Sequence, residues 1–312
     1  MTQTLVVTGV DGFVGHHVAV AANAAGYIVR GVARTDAVSS STRELLTSMH
    51  SVDLREEWPE DLIGDAVVHL AGLAAVGPSF GQPQKYIEAN SAMVTHLCEA
   101  HLRANACSTR ILGISTGAVY RSPPVIKPLG EDAETIAASP YVVSKLLVER
   151  QFEYYRERGL LTRVARPFNH IGPGQRPGFI LPDLVASLGA LRTGERLSVG
   201  NLDTRRDYTD VRDVARAYVL MVGSDAPHSV YNVASGKSAS GRDILEAICR
   251  TTGWSVPDLI VDPERLRPTD AHDIRGDAGR LRHDFDWSPT IPLERSIADF
   301  LSEKRAAPAS PL

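Results

Sequence analysis

Tyr141 and Lys145 are spaced four residues apart at the start of an apolar helical run, "SPYVVSKLLVER". Ser139 suits the N-cap of that helix and Pro140 its first turn. Residues four apart share a helix face, so the phenol and the ammonium are expected to lie side by side. A nearby cation favours phenolate and would lower the tyrosine pKa into a range useful for proton transfer. The alternative is a half-buried tyrosine beside a solvated lysine.

Thr116 follows the strand-like run "RILGIS", one predicted strand before the tyrosine. Its hydroxyl is therefore expected at the carboxyl edge of a parallel sheet, where it could donate to a substrate carbonyl oxygen. Tyr141 would supply the proton, and Lys145 would hold the nicotinamide ribose and stabilise phenolate. In this chain order the three residues predict a catalytic set for a nicotinamide-dependent reaction.

A glycine loop, "TGVDGFVG", lies between the first predicted strand and the first predicted helix. Gly9, Gly12 and Gly15 allow a tight turn and a close approach of backbone to pyrophosphate at a helix N-terminus. Phe13 and Val14 in the same loop are also predicted cofactor contacts. The alternative is a purely structural glycine turn.

The second predicted strand, which ends "GVARTD", bears on the choice of dinucleotide. Ala33 stands where NAD sites place a ribose-binding acid, and Arg34 could hold a 2′-phosphate. We therefore predict NADP, with NADPH preferred, and leave NAD open because a small register error would make Asp36 the ribose acid. Asp53 and Leu54 are predicted adenine contacts, although a plain surface aspartate is an alternative.

Short β-rich runs alternate with helical runs through the first half of the chain, which predicts parallel βαβ units. The predicted fold is α/β, a Rossmann-type doubly wound parallel sheet with a smaller, interwoven C-terminal substrate-binding α/β domain. We assign residues 1–167 and 205–233 to the NADP-binding domain, 168–204 and 234–305 to the substrate domain, and 306–312 to a disordered tail. Ligands of such sheets gather beyond the carboxyl ends of the strands, so Leu70, Ala71 and Gly72 are predicted cofactor contacts.

The composition is that of an ordinary globular protein: 312 residues, 43% hydrophobic, 22% charged, with a formal net charge of −4. We expect no nucleic-acid partner, because there is no basic run, and no membrane segment, because no apolar stretch is long enough. The three cysteines show neither metal nor disulfide spacing, so no metal site is predicted. We expect a cytoplasmic protein.

Three further phrases carry a family resemblance: "RPFNHIGPGQ" (166–175), "RRDYTDVRDVARAY" (205–218) and "SPYVVSK". The chain resembles the extended short-chain dehydrogenase/reductase superfamily. Within its nucleotide-sugar branch, it is most similar to GDP-4-keto-6-deoxy-D-mannose reductases and GDP-mannose 4,6-dehydratases. The resemblance implies that Asn169 contacts the substrate diphosphate or sugar, and that His170 lies on the nicotinamide side of NADP. It also implies that Arg206 and Arg267 clamp the substrate diphosphate.

The same resemblance has weaker implications, and some of its assignments have alternatives. Ser79 lies where relatives meet the sugar, Arg205 is an alternative to its neighbour as a diphosphate ligand, and plain turn chemistry is an alternative for the Asn-His pair. Relatives pair the helices matching 84–104 and 140–158 across a two-fold axis. The chain is therefore expected to form a homodimer through a four-helix bundle.

One departure from the resemblance concerns the reaction. Dehydratases of this group have an acid two residues before the tyrosine that ends the "ST-x-E-x-Y" motif, and this chain has Ala118 there. An alanine cannot shuttle a proton, so the sequence favours NADPH-dependent reduction of the C4 ketone of GDP-4-keto-6-deoxy-D-mannose, giving a GDP-activated D-rhamnose or 6-deoxy-talose. Alternatives are a nucleotide-sugar 4-epimerase, a 4-ketoreductase acting on a dTDP-, UDP- or CDP-sugar, and a non-catalytic dinucleotide-sensing protein.

Overall fold

A parallel sheet of seven strands forms the centre of the molecule. The computed structural model describes residues 2–122, 127–192, 194–263 and 272–306. Across the sheet the strands run in this order: β10 (Val230–Val233), β6 (Leu161–Pro167), β5 (Arg110–Ile114), β4 (Ala66–His69), β1 (Thr4–Thr8), β2 (Ile28–Ala33) and β3 (Ser48–Ser51). The order reverses between β1 and β4, which is the switch point where doubly wound sheets open a crevice for ligands.

Helices cover both faces of this sheet. The helices of the first part of the chain are α1 (Phe13–Ala24), α2 (Ser40–Arg43), α3 (Val76–Ser79), α4 (Pro83–Arg103) and α5 (Pro140–Glu157). The later ones are α6 (Ile180–Ala190), α7 (Val211–Gly223), α8 (Gly241–Thr252), α9 (Gly279–Phe285) and α10 (Leu293–Ala306). The α1 and α7 helices pack together on one face, and α4 and α5 on the other.

The strand sequences explain this layering, because successive side chains of a strand point to opposite faces. In β1, Leu5 and Val7 join the core under α1 and α7, whereas Val6 joins the core under α4 and α5. Apolar residues at consecutive positions are therefore buried on both sides, as parallel sheets require. The doubly wound α/β fold predicted from the alternation of strands and helices is confirmed.

A smaller part of the molecule is built from residues after 168. Its four-stranded sheet consists of β7 (Asn169–Ile171), β9 (Arg205–Asp210), β11 (Ser238–Ser240) and β13 (Asp273–Ile274), with β9 paired to each of the other three. A two-stranded sheet joins β8 (Leu197–Val199) to β12 (Leu259–Val261). The helices α6, α8 and α10 enclose a separate apolar core, which includes Leu188, Ile248 and Phe300.

The two parts share the chain more closely than the predicted domain boundaries imply. Strand β9 pairs within the smaller sheet, although residues 205–233 were assigned to the cofactor domain as one block. Conversely, α9 and Trp287 belong to the core of the large sheet, although 234–305 were assigned to the substrate domain. The segment "NHI", for which plain turn chemistry was an alternative, is strand β7. The domain division stays a prediction, and the expected tail lies outside the described residues except for Ala306, which ends α10.

Within the ranges described above, no helix combines the length and the apolar character needed to cross a membrane.

Candidate active site

The start of α5 has the local structure that its sequence predicts. The Ser139 hydroxyl accepts from the backbone N–H of Val142 at 3.2 Å, and Pro140 occupies the first helical turn. Tyr141 and Lys145 follow this cap and are almost fully buried, and Lys145 reaches the end of β5.

Thr116 lies two residues beyond β5 and caps a short 3₁₀ helix, Gly117–Val119, by accepting from the Ala118 N–H at 3.1 Å. Its side chain is hydrogen-bonded to Tyr141. The Lys145 ammonium donates to the carbonyl oxygen of Ile114, the last residue of β5, at 2.8 Å. The structure therefore brings the three predicted catalytic residues together at one strand end.

The protonation of this set differs from the expectation that the lysine lowers the pKa of the tyrosine. Burial raises the pKa of Tyr141 to about 12, and the hydrogen bond from Thr116 only partly opposes this rise. Burial lowers the pKa of Lys145 to about 8, against the opposing charge of Glu149. The Lys145 Nζ atom is engaged by the strand carbonyl and lies 6.0 Å from the Tyr141 ring centroid. Desolvation therefore outweighs the cation, and Tyr141 is a protonated donor at neutral pH.

The glycine loop lies at the start of α1, as expected. Gly9 has a left-handed backbone (φ +67°), and its N–H donates to the Val32 carbonyl of β2 at 2.8 Å. A Cβ atom on Gly15 would lie 2.3 Å from the Gly9 carbonyl oxygen, so only glycine lets the helix approach the loop this closely. Gly12 is the N-cap of α1 and has no side chain to cover the free amides.

A cavity of about 510 Å³ opens between this loop and the ends of β2, β3 and β4. Eight of the predicted cofactor residues line it, namely Gly9, Gly12, Arg34, Asp53, Leu54, Leu70, Ala71 and Gly72. A Cβ atom on Gly72 would lie 3.2 Å from Asn90 Oδ1 and 3.6 Å from Lys145 Nζ, so the missing side chain keeps space beside the lysine. Volume, glycine clearance and free helix amides fit a dinucleotide.

Phe13 and Val14, the other two predicted contacts in the glycine loop, are not among the residues that line this cavity. The Phe13 ring stacks on the His170 imidazole, with centroids 5.9 Å apart and planes 21° apart. The Arg176 guanidinium donates to the Asp11 carbonyl oxygen at 2.6 Å. These contacts dock strand β7 and the following loop onto the start of α1, so they join the cofactor loop to the smaller part of the molecule. Val14 packs against the core of the large sheet.

At the end of β2 the structure places an arginine and no acid. Ala33 is buried, whereas Arg34 is exposed and lines the cavity. Asp36, the alternative ribose acid, is exposed and pairs with Arg43 at 3.4 Å. Asp53 is paired with Arg55, and this hydrogen-bonded partner is the main reason that its pKa is lowered to about 2, with a smaller contribution from Arg34.

Arg55 and Lys85 were missed by sequence reasoning, and both line the cavity. Arg55 directly follows the predicted adenine pair, so its position after β3 was the available signal. Lys85 lies in the first turn of α4, and nothing in its local sequence marks it as facing a site.

The predicted substrate residues differ in how their side chains are placed. Asn169 is exposed at the start of β7, beside the Tyr208 position of β9 in the register of the sheet. Arg206 lies on β9, and its Nη1 atom donates to the Arg205 carbonyl at 2.8 Å. The guanidinium of Arg205 is engaged by Asp243 at 3.1 Å and by the Ser238 carbonyl at 2.7 Å.

The geometry gives no support to the prediction for Ser79. The Ser79 side chain is fully buried, and its hydroxyl donates to the Val76 carbonyl at 2.6 Å inside α3, so it is not presented to a ligand in this structure. Its neighbour Phe80 is 63% exposed instead. Arg267 lies outside the described residues.

Ala118 is exposed beside Thr116. Its backbone N–H donates to the Thr116 hydroxyl, and its methyl side chain cannot accept or deliver a proton. Over the described ranges no group of three or more His, Cys, Asp or Glu side chains is arranged to hold a metal ion.

The chain is similar to known proteins over almost its whole length. A GDP-6-deoxy-D-mannose reductase of Pseudomonas aeruginosa is 33% identical over 314 residues, which cover 97% of each chain. The solved structure of RMD from Pseudomonas aeruginosa, complexed with NADPH, matches with a TM-score of 0.81 and 31% identity, covering 97% of this chain and all of that one (100%). A UDP-glucose 4-epimerase of Stenotrophomonas maltophila, with bound NAD and formylated UDP-arabinopyranose, matches with a TM-score of 0.85 and 25% identity over 97% and 98% of the two chains.

A seven-stranded Rossmann sheet with a glycine loop and a Thr-Tyr-Lys set beyond its fifth strand defines an extended short-chain dehydrogenase/reductase of the nucleotide-sugar branch. The family model described as GDP-mannose 4,6 dehydratase matches residues 6–300, and the chain belongs to that family. It is an NAD(P)-dependent enzyme of the oxidoreductase type that acts on nucleotide sugars.

Proposed function

We propose that the enzyme uses NADPH to reduce the C4 ketone of a nucleotide-activated 4-keto-6-deoxyhexose, with GDP-4-keto-6-deoxy-D-mannose as the first candidate. The single observation that carries this proposal is the complete Thr116–Tyr141–Lys145 set beside Ala118 in place of an acid. The set can deliver a proton to a ketone oxygen, and the alanine cannot assist loss of water. The reductase of Pseudomonas aeruginosa, a relative over almost the whole chain, supports the same direction.

The residues would divide the work as follows. The reduced nicotinamide supplies a hydride when it is bound. Tyr141, whose pKa is raised to about 12 by burial, holds the proton that goes to the C4 oxygen. Thr116 donates a hydrogen bond that orients the same oxygen, and the Lys145 ammonium stabilises the phenolate left behind.

The cofactor preference rests on charge at the end of β2. An exposed Arg34 in the cavity wall attracts a 2′-phosphate, and the buried Ala33 offers no carboxylate to a 2′-hydroxyl. The RMD structure with NADPH is consistent with this preference, whereas the epimerase structure contains NAD. We propose NADPH as the preferred cofactor, with NADH as a possible substitute.

The substrate would bind with its sugar at Thr116 and its diphosphate toward the smaller part of the molecule. Asn169 and Arg206 lie on paired strands there, and Arg267 remains a predicted ligand outside the described residues. Two guanidiniums offer fork geometry to a dianionic pyrophosphate. GDP is the first candidate for the nucleotide, and dTDP, UDP and CDP are the alternatives. The cytoplasm remains the predicted location.

A 4-epimerase is the second candidate, because solved epimerases of this family share the fold and cover almost the whole chain. It would use the same Thr-Tyr-Lys set, with tightly held NAD and an acidic residue at the second strand. Arg34 following Ala33 at that position favours the reductase.

We also propose a homodimer through α4 and α5. The outer face of α5 exposes Val143, Leu147 and Tyr154, with exposed fractions of 36%, 37% and 55%. An apolar row on a long helix that already packs against α4 suits an isologous four-helix contact.

The test of the reductase assignment combines two incubations. Protein, NADPH and freshly made GDP-4-keto-6-deoxymannose should show loss of the reduced-nicotinamide absorbance, and the same keto-sugar activated by dTDP, UDP or CDP should be tried in parallel. Protein, NADP and GDP-mannose should release no 4-keto-6-deoxy product. Robust product in the second incubation, with none in the first, would overturn the assignment. Interconversion of C4 epimers without net cofactor oxidation would support the epimerase instead.

A further inference from the structure

A buried ion pair lies directly behind the catalytic set. Glu149, one helical turn after Lys145, accepts two hydrogen bonds from the Arg166 guanidinium: Nε to Oε1 at 2.9 Å and Nη2 to Oε2 at 2.7 Å. Their side chains are only 10% and 9% exposed. A bidentate pair at this depth is held in one geometry, and each charge depends on the other for its solvation.

The remaining hydrogen-bonding groups of this pair are also used. The Ser115 hydroxyl donates to Glu149 Oε1. Arg166 Nη1 donates to the Tyr120 hydroxyl at 3.0 Å and to the Glu131 carbonyl at 3.1 Å. Both residues of the pair are therefore also hydrogen-bonded to other parts of the polypeptide around the site.

The network connects the three elements that carry the proposed reaction. Ser115 immediately precedes Thr116 after β5, and Glu149 shares α5 with Lys145. Arg166 is the penultimate residue of β6, three residues before Asn169. The Lys145 ammonium donates to Ile114 O, and Ser115 follows Ile114 in the chain. Glu149 is thus tied to the lysine along the helix and through the strand end.

We propose that Glu149, held by Arg166, is a positioning residue for Lys145: its fixed negative charge keeps the buried ammonium protonated, and its bond to Ser115 keeps α5 in place against the Thr116 segment. The proposal rests on the catalytic role of Lys145 proposed above, but its main test needs no substrate.

Other charges around Lys145 bear on this proposal. The titratable or charged side chains that interact with Lys145 or with these partners come from four elements: Tyr141 and Glu149 on α5, His69 at the end of β4, Tyr86 on α4 and Arg166 on β6. Burial and the Lys145 charge lower the pKa of His69 to about 3, so that ring is neutral. Burial holds the pKa of Tyr141 at about 12 and also raises that of Tyr86, so both phenols are neutral at working pH. Of the groups named, Glu149 is the one whose negative charge can hold the lysine proton.

The experiment is a titration of the lysine side chains by NMR in protein labelled with ¹³C-lysine, which has five lysines to assign. Glu149→Gln leaves the Arg166 cation uncompensated, so the pKa of Lys145 should fall below that of the unmodified protein by about one unit. Arg166→Met leaves the Glu149 anion uncompensated, so the pKa of Lys145 should rise. Opposite shifts from two changes in one ion pair are not expected from loss of packing alone.

Each single variant has its own expected direction of change in the pKa of Lys145. One folded variant is therefore enough for a test. The double variant Glu149→Gln/Arg166→Met leaves no uncompensated buried charge, and it should lower the pKa of Lys145 by less than Glu149→Gln does. Glu149→Asp keeps the charge and should restore a value close to that of the unmodified protein.

Asp213→Asn is the matched control. Asp213 is also a fully buried carboxylate paired with an arginine, Arg216, at 2.8 Å, but it lies on α7 on the opposite face of the sheet. This variant should leave the Lys145 titration unchanged. An unchanged Lys145 pKa in folded Glu149 and Arg166 variants, or shifts of the same sign in both, would overturn the proposal. Shifts as expected in a protein without reductase turnover would uphold the positioning role and contradict the proposed function instead.

Discussion

At the scale of single residues, the proposed catalytic set shows that burial has a larger effect on pKa than proximity has. Tyr141 and Lys145 lie one helical turn apart. Burial nevertheless raises the pKa of Tyr141 and lowers that of Lys145, because removal from water favours the neutral form of each group. A reductase needs a protonated donor, so a tyrosine with a raised pKa suits reduction at neutral pH. Removal of the donor should therefore be more damaging than removal of any cofactor contact.

We expect Tyr141→Phe to reduce turnover by about 10²–10⁴-fold, the usual effect of losing a general acid. NADPH affinity should remain close to that of the unmodified enzyme, because the ring still fills its buried position. Steady-state kinetics and fluorescence titration of NADPH measure the two quantities. Near-normal turnover would show that another group delivers the proton.

The pH dependence follows from Lys145. Its pKa of about 8 means that the ammonium is charged below pH 8 and loses its proton as the pH rises through that value. Tyr141, with a pKa of about 12, stays protonated over the same interval. Reductive kcat/KM should therefore be level at neutral pH and fall on the alkaline side of about pH 8. A level profile through that region would contradict the role of the ammonium.

Arg34 should discriminate between cofactors. Loss of a charge-assisted hydrogen bond in Arg34→Ala should raise the KM for NADPH by about tenfold or more and leave the KM for NADH nearly unchanged. Arg43→Ala is the control, because Arg43 is exposed nearby but pairs with Asp36. Equal effects of Arg34→Ala on both cofactors would mean that this arginine does not contact the 2′-phosphate.

At the scale of elements, the approach of α1 to the glycine loop determines the shape of the cofactor site. We expect Gly15→Ala to force the helix away from the loop, because its Cβ atom would lie 2.3 Å from Gly9 O and 2.7 Å from Val10 Cα. Overpacking of this kind costs about 1–3 kcal/mol of stability and should also weaken dinucleotide binding.

The matched control for this prediction is Gly130→Ala, where an added Cβ atom meets nothing within 4 Å. Thermal unfolding and NADPH titration of the two variants give the comparison. If Gly15→Ala bound the cofactor normally, the close approach of α1 would not be required for the site.

At the scale of the whole molecule, the exposed row on α5 is the surface that the enzyme would use to self-associate. Leu147→Glu places a charge in the middle of that row, so it should shift a dimer toward monomer in light scattering at micromolar concentration. Val256→Glu, at another exposed apolar position, is the control and should not change the mass. A monomer mass for the unmodified protein would reject the dimer.

Local spacing in the sequence was sufficient to predict the class of fold and the residues that lie together at the candidate site. The glycine loop, Thr116, and the Tyr141–Lys145 pair are each encoded within a few residues, since strand and helix periods determine which side chains share an edge or a face. The order of these motifs along the chain then places them at the carboxyl ends of parallel strands. Their identity therefore did not depend on any long-range contact.

Other features depended on residues distant in sequence or on burial, neither of which a local pattern encodes. Side-chain direction decides that Asp53 pairs with Arg55. It also decides that the Ser79 hydroxyl bonds within its own helix and does not face a cavity. The bond between Arg166 and Glu149 joins a strand end to a helix, and the pairing of β9 with the smaller sheet joins segments across the chain. Such contacts and the pKa values they produce exist only after the chain has packed, because desolvation is a property of the folded interior.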